Sequence, residues 1–219
     1  MGEQTGLRER KKQRTYEAIS DTALALFAEH GYDQVSVTRV AEAAEVSRRT
    51  LFSYFPTKED LIVSRMADHE TESARVVRAR PAGQSPLTAL REHHLDGLAR
   101  RDPITGLTDL EPALVLYRII LGTPSLVGGM FRFKANGEQA LAEALRDTAG
   151  LSDLAARLAA TQIMSVMWLL LLDNRERVVA GTRVDDAYPD AVAAAELAFD
   201  QLAGGLGAVL GVGAEPAGR

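Results

Sequence analysis

The chemistry in this sequence is concentrated at residues 47–54, Ser-Arg-Arg-Thr-Leu-Phe-Ser-Tyr. At helical spacing Arg48, Arg49, Phe52 and Ser53 share one face, while Leu51 and Phe55 turn toward a core. Two neighbouring guanidiniums beside an aromatic ring gain little from facing water alone. Against DNA they have defined partners: a guanidinium fork matches the acceptors of guanine or a phosphate, and a ring covers a thymine methyl. A second cluster, His93-His94 with Asp96, invites a metal or acid–base reading. Neighbours on a helix sit about 100° apart, so these side chains do not converge on one ion. Solvated surface and a polar group in a pocket at His94 are the other readings. The sequence has no cysteine, which removes disulfides, thiolate metal sites and thiol redox sensing. It has no glycine-rich phosphate loop, nucleophile elbow or paired-carboxylate motif. The sequence therefore leads to no catalytic residue, no cofactor and no metal, and to a binding protein in place of an enzyme.

The arginines need a helix to carry them and others to brace it. A first helix is expected from about Arg10 to His30, with Tyr16, Ile19, Ala23, Leu26 and Phe27 on its apolar face and Gly31 to end it. Ser36 is placed to cap a short second helix that buries Val37, Val40, Ala41 and Ala44. After a turn at Glu45-Val46, Ser47 caps a third through Phe55, and Pro56 stops it. Thr57 caps a fourth, expected to continue to about Arg80. Two short helices joined by a tight turn and packed on a preceding helix have the geometry of a helix-turn-helix, whose second member enters the major groove. Further helices are expected at about 86–101, 109–122, 125–149, 152–180 and 186–211. No period-2 run marks a strand, so the expected class is all-α with about nine helices.

The stretch from Phe27 to Leu61 resembles the DNA-binding domain of the tetracycline-repressor (TetR/AcrR) family. The matching motifs are Phe27-x-x-x-Gly31-Tyr32, then Val40-Ala41-x-x-Ala44-x-Val46-Ser47, then Thr50-Leu51-x-x-Tyr54-Phe55-x-x-Lys58-Glu59-Asp60-Leu61. Together they cover roughly residues 11–62. The resemblance implies a transcriptional regulator. It implies that Thr50 and the N-terminal residues of the third helix, Ser47, Arg48 and Arg49, contact bases and nearby phosphates. Tyr54 would give its hydroxyl to a phosphate, and Lys58 would ion-pair with another. Ser36 and Thr38 would meet the DNA backbone at the start of the second helix, where free N–H groups favour an anion. A basic arm, Arg8, Arg10, Lys11, Lys12 and Arg14, would add minor-groove or phosphate contacts. Three positions depart from the pattern. Glu45 stands where the family usually has glycine, strained by on the order of 1 kcal/mol if its φ is positive. Phe52 replaces a common tyrosine, keeping a thymine-methyl contact and losing a phosphate hydrogen bond. Arg39 stands where an acidic residue is frequent, which removes a capping box and offers a phosphate contact instead.

The resemblance also implies the remaining organisation. Residues 1–57 would be the DNA-binding domain, 58–211 a helical effector-binding and dimerisation domain, and 212–219 a disordered tail. Two copies would read a palindromic double-stranded DNA operator with half-sites about 34 Å apart. In the last helix Val192, Ala195, Phe199, Leu202 and Leu206 alternate at three and four, a seam suited to a homodimer. Ile163–Leu172 is apolar on every side, so one face can meet a partner and the other the domain's own interior. The effector would be a small, mostly apolar molecule held among these helices. Adaptable methionines and aromatics suit one, giving Tyr117, Leu121, Met130, Phe131, Phe133, Met164, Met167 and Trp168, with His94 as polar group, as candidate lining. Repression released by the ligand is the family norm; a ligand-independent DNA-binding protein or an activator is the alternative.

A net charge of -5 argues at first against nucleic acid. The first 58 residues, however, carry nine Lys/Arg against eight Asp/Glu, and the rest sixteen against twenty-two. The acidity thus lies in the C-terminal part, and local charge is what a phosphate meets. The longest apolar stretch, Ile163–Leu172, is half the ~20 residues of a membrane span. The N-terminus carries no apolar leader, so no membrane partner and a cytoplasmic location are expected.

Overall fold

The computed structural model describes residues 2–205, with side chains from Arg10 onward, and those residues form helices and loops without a strand. The helices are α1 (Gly2–His30), α2 (Val37–Ala43), α3 (Arg48–Tyr54), α4 (Asp60–Val63), α5 (Ala67–Glu70), α6 (Glu72–Ala79), α7 (Pro86–Arg100), α8 (Glu111–Gly122), α9 (Pro124–Ala149), α10 (Asp153–Val179) and α11 (Val184–Gly204). Short 3₁₀ turns occupy Ser64–Met66 and Pro103–Thr105. α4, α5 and α6 share the span of the expected fourth helix, so that, with these three taken as one interrupted helix, the described residues hold the expected nine. Ser64 donates its hydroxyl to the carbonyl of Asp60, four residues back, and the chain then tightens into a 3₁₀ turn. Thr71, at φ -104 and ψ 10, separates α5 from α6.

Serine caps recur. Ser36, Ser47, Ser85 and Ser152 each accept a hydrogen bond from the backbone N–H three residues on, satisfying one otherwise orphaned donor. Thr57 and Asp60 cap each other, Asp60 N donating to Thr57 Oγ1 at 3.2 Å and Thr57 N to the Asp60 carboxylate at 2.8 Å.

The chain clusters into two compact units, Met1–Asp68 with Glu111–Phe133, and His69–Leu110 with Lys134–Arg219. The first break therefore falls later than the expected one after residue 57. The reason is that α4 packs on α1 and buries Leu61 and Ile62 completely, while α8 also packs on α1. The first unit's core gathers Ile19, Ala23, Phe27, Val40, Leu51 and Phe55. Tyr16 stacks on Phe55 at 4.7 Å and donates its hydroxyl to Ser64 O.

In the second unit α11 packs on α7 and α10, and α6 on α7. One core cluster is built on Leu90, Leu141, Leu145, Ile163 and Phe199, another on Leu98, Leu107, Leu170, Ala187, Ala191 and Ala195. The 3₁₀ turn after α7 is fastened to α10. Asn174, buried, donates its side-chain amide to Thr105 O at 2.9 Å. A Cβ on Gly106 would collide with Leu171 O, and its φ is +77°, so the close approach and the turn both require glycine.

The last two helices divide the sequence reading. By length and mean hydropathy (1.6 over its most apolar window) α10 is sufficient to cross a membrane, which the shorter apolar run alone does not indicate. It is two-faced: Ala156, Ala160, Ile163, Leu170 and Asn174 are buried, while Leu154, Leu158, Leu169 and Val179 are exposed. At 3.6 residues per turn the exposed four fall within an arc of about 80°, opposite the buried set. In α11 the residues of the expected partner seam lie largely inward. Ala195 and Phe199 are buried in the protomer's own core, with Val192 and Leu202 packed at the edges of the same clusters, because α7 and α10 already cover that side. Leu206 and the tail 212–219 lie outside the described residues.

Candidate nucleic-acid interface

The turn between α2 and α3 is closed by two backbone bonds, Glu45 N to Glu42 O at 3.1 Å and Val46 N to Ala41 O at 2.9 Å. This pair of bonds is a Schellman closure, and it sets its pivotal residue in the left-handed region. That residue is Glu45, at φ +53°, so the departure from glycine is one of real backbone strain. The turn aims α3 away from the core: Leu51 and, one residue past the helix, Phe55 are fully buried, and the opposite face is open.

On that open face Arg48 and Arg49 are exposed, and neither has a hydrogen-bond or ion-pair partner among the described residues. Phe52 beside them is 39% exposed. Ser47 Oγ accepts from Thr50 N at 3.0 Å and lies 2.8 Å from Thr50 Oγ1, so cap and neighbour form one hydroxyl pair at the helix mouth. Ser53 faces solvent but donates its hydroxyl to Thr50 O at 2.6 Å, within its own helix. Tyr54 is half-buried at the C-terminal end.

Around α3 the other expected contacts are distributed unevenly. Ser36 is exposed and caps α2 through Arg39 N at 3.2 Å; Thr38 is half-buried. Arg39 directs a guanidinium nitrogen to His30 Nε2 at 2.7 Å, so the imidazole accepts and holds the guanidinium at the start of α2. Sequence reasoning missed His30, since no local pattern connects residues 30 and 39. Lys58 is more committed than a phosphate-pairing lysine requires. Its ammonium donates to Tyr32 O at 2.6 Å and sits 4.2 Å from the Tyr32 ring centroid and 5.6 Å from that of Phe27. Burial, and then the carboxylate of Glu59, push the Tyr32 phenol above its ordinary range, so that ring stays neutral beneath the cation. Arg10, Lys11, Lys12 and Arg14 all face solvent from α1, whose helix extends through the stretch read as an arm.

The proposed pocket residues divide between the units. In the first, Tyr117, Met130 and Phe133 are buried, whereas Leu121 and Phe131 are exposed, Phe131 by 70%. In the second, Met164 and Met167 pack against the Phe199 cluster, the His94 ring lies 5.9 Å from that of Phe199, and Trp168 is half-buried. His93 and His94 diverge: His93 Nε2 meets Glu72 at 2.9 Å, while His94 turns inward and is buried, which removes the surface reading. No group of three or more His, Asp or Glu residues able to hold a metal ion occurs among the described residues.

Comparison with known proteins agrees with this geometry. Residues 19–64 match the profile of the bacterial regulatory proteins of the tetR family. Over 179 residues, 77% of this chain and 79% of the relative, the sequence is 31% identical to the HTH-type transcriptional regulator TcmR of Streptomyces glaucescens. Over 166 residues, 74% of this chain and 70% of the relative, it is 30% identical to the HTH-type transcriptional repressor KstR of Rhodococcus jostii (strain RHA1). Native NalD of Pseudomonas aeruginosa, the secondary repressor of the MexAB-OprM multidrug efflux pump, shares the fold with a TM-score of 0.59 at 18% identity, over 86% of this chain and 96% of its own. The chain belongs to the TetR family of helix-turn-helix transcriptional regulators.

Proposed function

We propose that the protein is a repressor that binds a palindromic operator as a homodimer and leaves it when a small, mostly apolar molecule occupies the second unit. The observation that carries this reading is the pair Arg48 and Arg49, exposed and unpaired at the first turn of a capped helix braced from behind. No ion pair has to break before these guanidiniums meet base edges or phosphates. Phe52 supplies the apolar contact for a thymine methyl, and Tyr54, Ser36 and Arg39 supply phosphate contacts that fix the register. Lys58 serves chiefly as a brace for the loop after α1 and adds its charge to the phosphate-facing side. Similarity to KstR, itself a repressor, supports the sign of regulation. The protein acts where DNA is, in the cytoplasm.

One helix-turn-helix of this size makes few contacts, so two copies share a palindrome. We assign the dimer interface to the outward faces of α10 and α11, where Leu154, Leu158, Leu169 and Leu197 are each between 55% and 65% exposed. Apolar stripes of this kind mark partner surfaces. The test is a footprint on the DNA upstream of the protein's own gene. The expected result is protection of two half-sites about one DNA turn apart. Affinity equal to that for random duplex at every upstream segment would overturn the reading.

A further inference from the structure

Within the second unit, we propose that His94 is the polar anchor of the effector site and that the effector is an uncharged, mostly apolar molecule carrying a hydroxyl group. This deepens the ligand-responsive reading above and rests on it. α7 turns His94 inward, leaving 5% of it exposed, and its Nε2 is buried with no hydrogen-bond partner. The ring faces Phe199 at 5.9 Å, and Phe199 belongs to an apolar cluster with Leu90 and Ile163, at whose margin Met164 and Met167 pack. A second weakly satisfied polar atom borders that cluster. Ser73, also buried, has its hydroxyl against the Met167 thioether at 4.0 Å, a long and weak contact. A buried nitrogen without a partner is a standing cost to the fold and calls for an occupant. Thioether side chains are the ones most readily moved aside to admit it.

The surroundings also select the occupant's charge. The carboxylate beside the adjacent His93, Glu72, is already bridged between His93 Nε2 at 2.9 Å and His69 Nδ1 at 2.7 Å. His94 thus has no acid to hold a proton on it. Burial, reinforced by His93, lowers its pKa to about 4, so the imidazole is neutral at physiological pH. A neutral ring offers no ion pair to a carboxylate or phosphate. A hydroxyl suits it, because it donates and accepts and so satisfies Nε2 in either tautomer.

The test is calorimetric titration of the full-length protein with 4-propylphenol, propylbenzene and 4-propylbenzoate. The phenol is expected to bind about tenfold tighter than propylbenzene, and the benzoate no tighter than propylbenzene. In His94→Leu that advantage shrinks to about twofold or less, propylbenzene still binds, and the unliganded protein melts no lower than the parent because the unpaired nitrogen is gone. His94→Gln, which restores a polar group, recovers part of the preference. Equal binding of phenol and propylbenzene by the parent, no binding of any of the three, or an unchanged preference in His94→Leu would overturn the assignment. Operator binding by the same preparation, and its release by other compounds, is read separately, so loss of the anchor is distinguishable from loss of the repressor reading.

Discussion

α3 and α11 each carry apolar residues at spacings of three and four, yet they use opposite sides. In α3 the apolar side is structural and the outward side, Arg48, Arg49 and Phe52, is exposed and is the one proposed to meet DNA. In α11 the apolar seam of Ala195 and Phe199 resembles a partner surface and is instead the protomer's own core. The difference lies in the neighbours. α3 is seven residues long and has one body behind it, so whatever is not buried there is free. α11 is twenty-one residues long and covered by both α7 and α10. Periodicity reports that a stripe is buried and not which chain buries it.

The sharpest way to break this comparison is Phe199→Glu. A carboxylate in that core is expected to cost about 4–5 kcal/mol or more, so circular dichroism should show lost helix. Leu158→Glu, on the outward face of α10, should keep the helix content and give monomers by light scattering. A folded, monomeric Phe199→Glu protein would restore the sequence seam as the interface.

Next in size is an acid effect on the inward side of α7. His94 is neutral in the fold, so keeping it unprotonated costs nothing above the ordinary histidine value of 6.5, and the penalty grows, lowering stability, as pH falls toward about 4. The loss is roughly 3 kcal/mol. Glu72 acts in the same direction at lower pH, since hydrogen bonds from His69 and His93 hold its carboxyl well below the ordinary range. Denaturant titrations between these pH limits should show a steep limb that His94→Leu flattens; an unchanged limb would place the titrating group elsewhere.

On the outward side of α3, Arg48→Ala is expected to cost about 1–3 kcal/mol on the operator and to relax one base pair of specificity in a binding-site selection. The smallest effect tests the turn that aims α3. Glu45→Gly relieves a left-handed non-glycine residue and should raise stability by about 0.5–1 kcal/mol with operator affinity unchanged. A drop in melting temperature would show that the Glu45 side chain does more than occupy the turn.

What was legible in the sequence is what local chemistry decides. The caps at Ser36 and Ser47, the stop at Gly31, the strain at Glu45 and the outward face of α3 each follow from residues within a few positions of one another. The break of the fourth helix at Ser64 was not legible, because a serine there is compatible with a continuous helix until its hydroxyl takes Asp60's carbonyl. Nor was the Arg39–His30 contact, or the commitment of Lys58 to Tyr32, which join residues far apart in sequence. Apolar and aromatic residue type points to Leu121 and Phe131 as lining residues, yet both are exposed, because residue type alone does not fix which way a helix turns. The outward stripe of α10 was partly readable, since Leu154 and Leu158 are one turn apart.

The central claim is that the unpaired arginines of α3 read sequence. The direct measurement is a salt-titrated affinity for operator and for random duplex, with the parent and the Arg48→Ala/Arg49→Ala double variant. In the double variant operator affinity is expected to fall by at least about a hundredfold, toward the random-duplex value, while random-duplex affinity changes far less. An equal loss on both duplexes, or no loss on the operator, would contradict it.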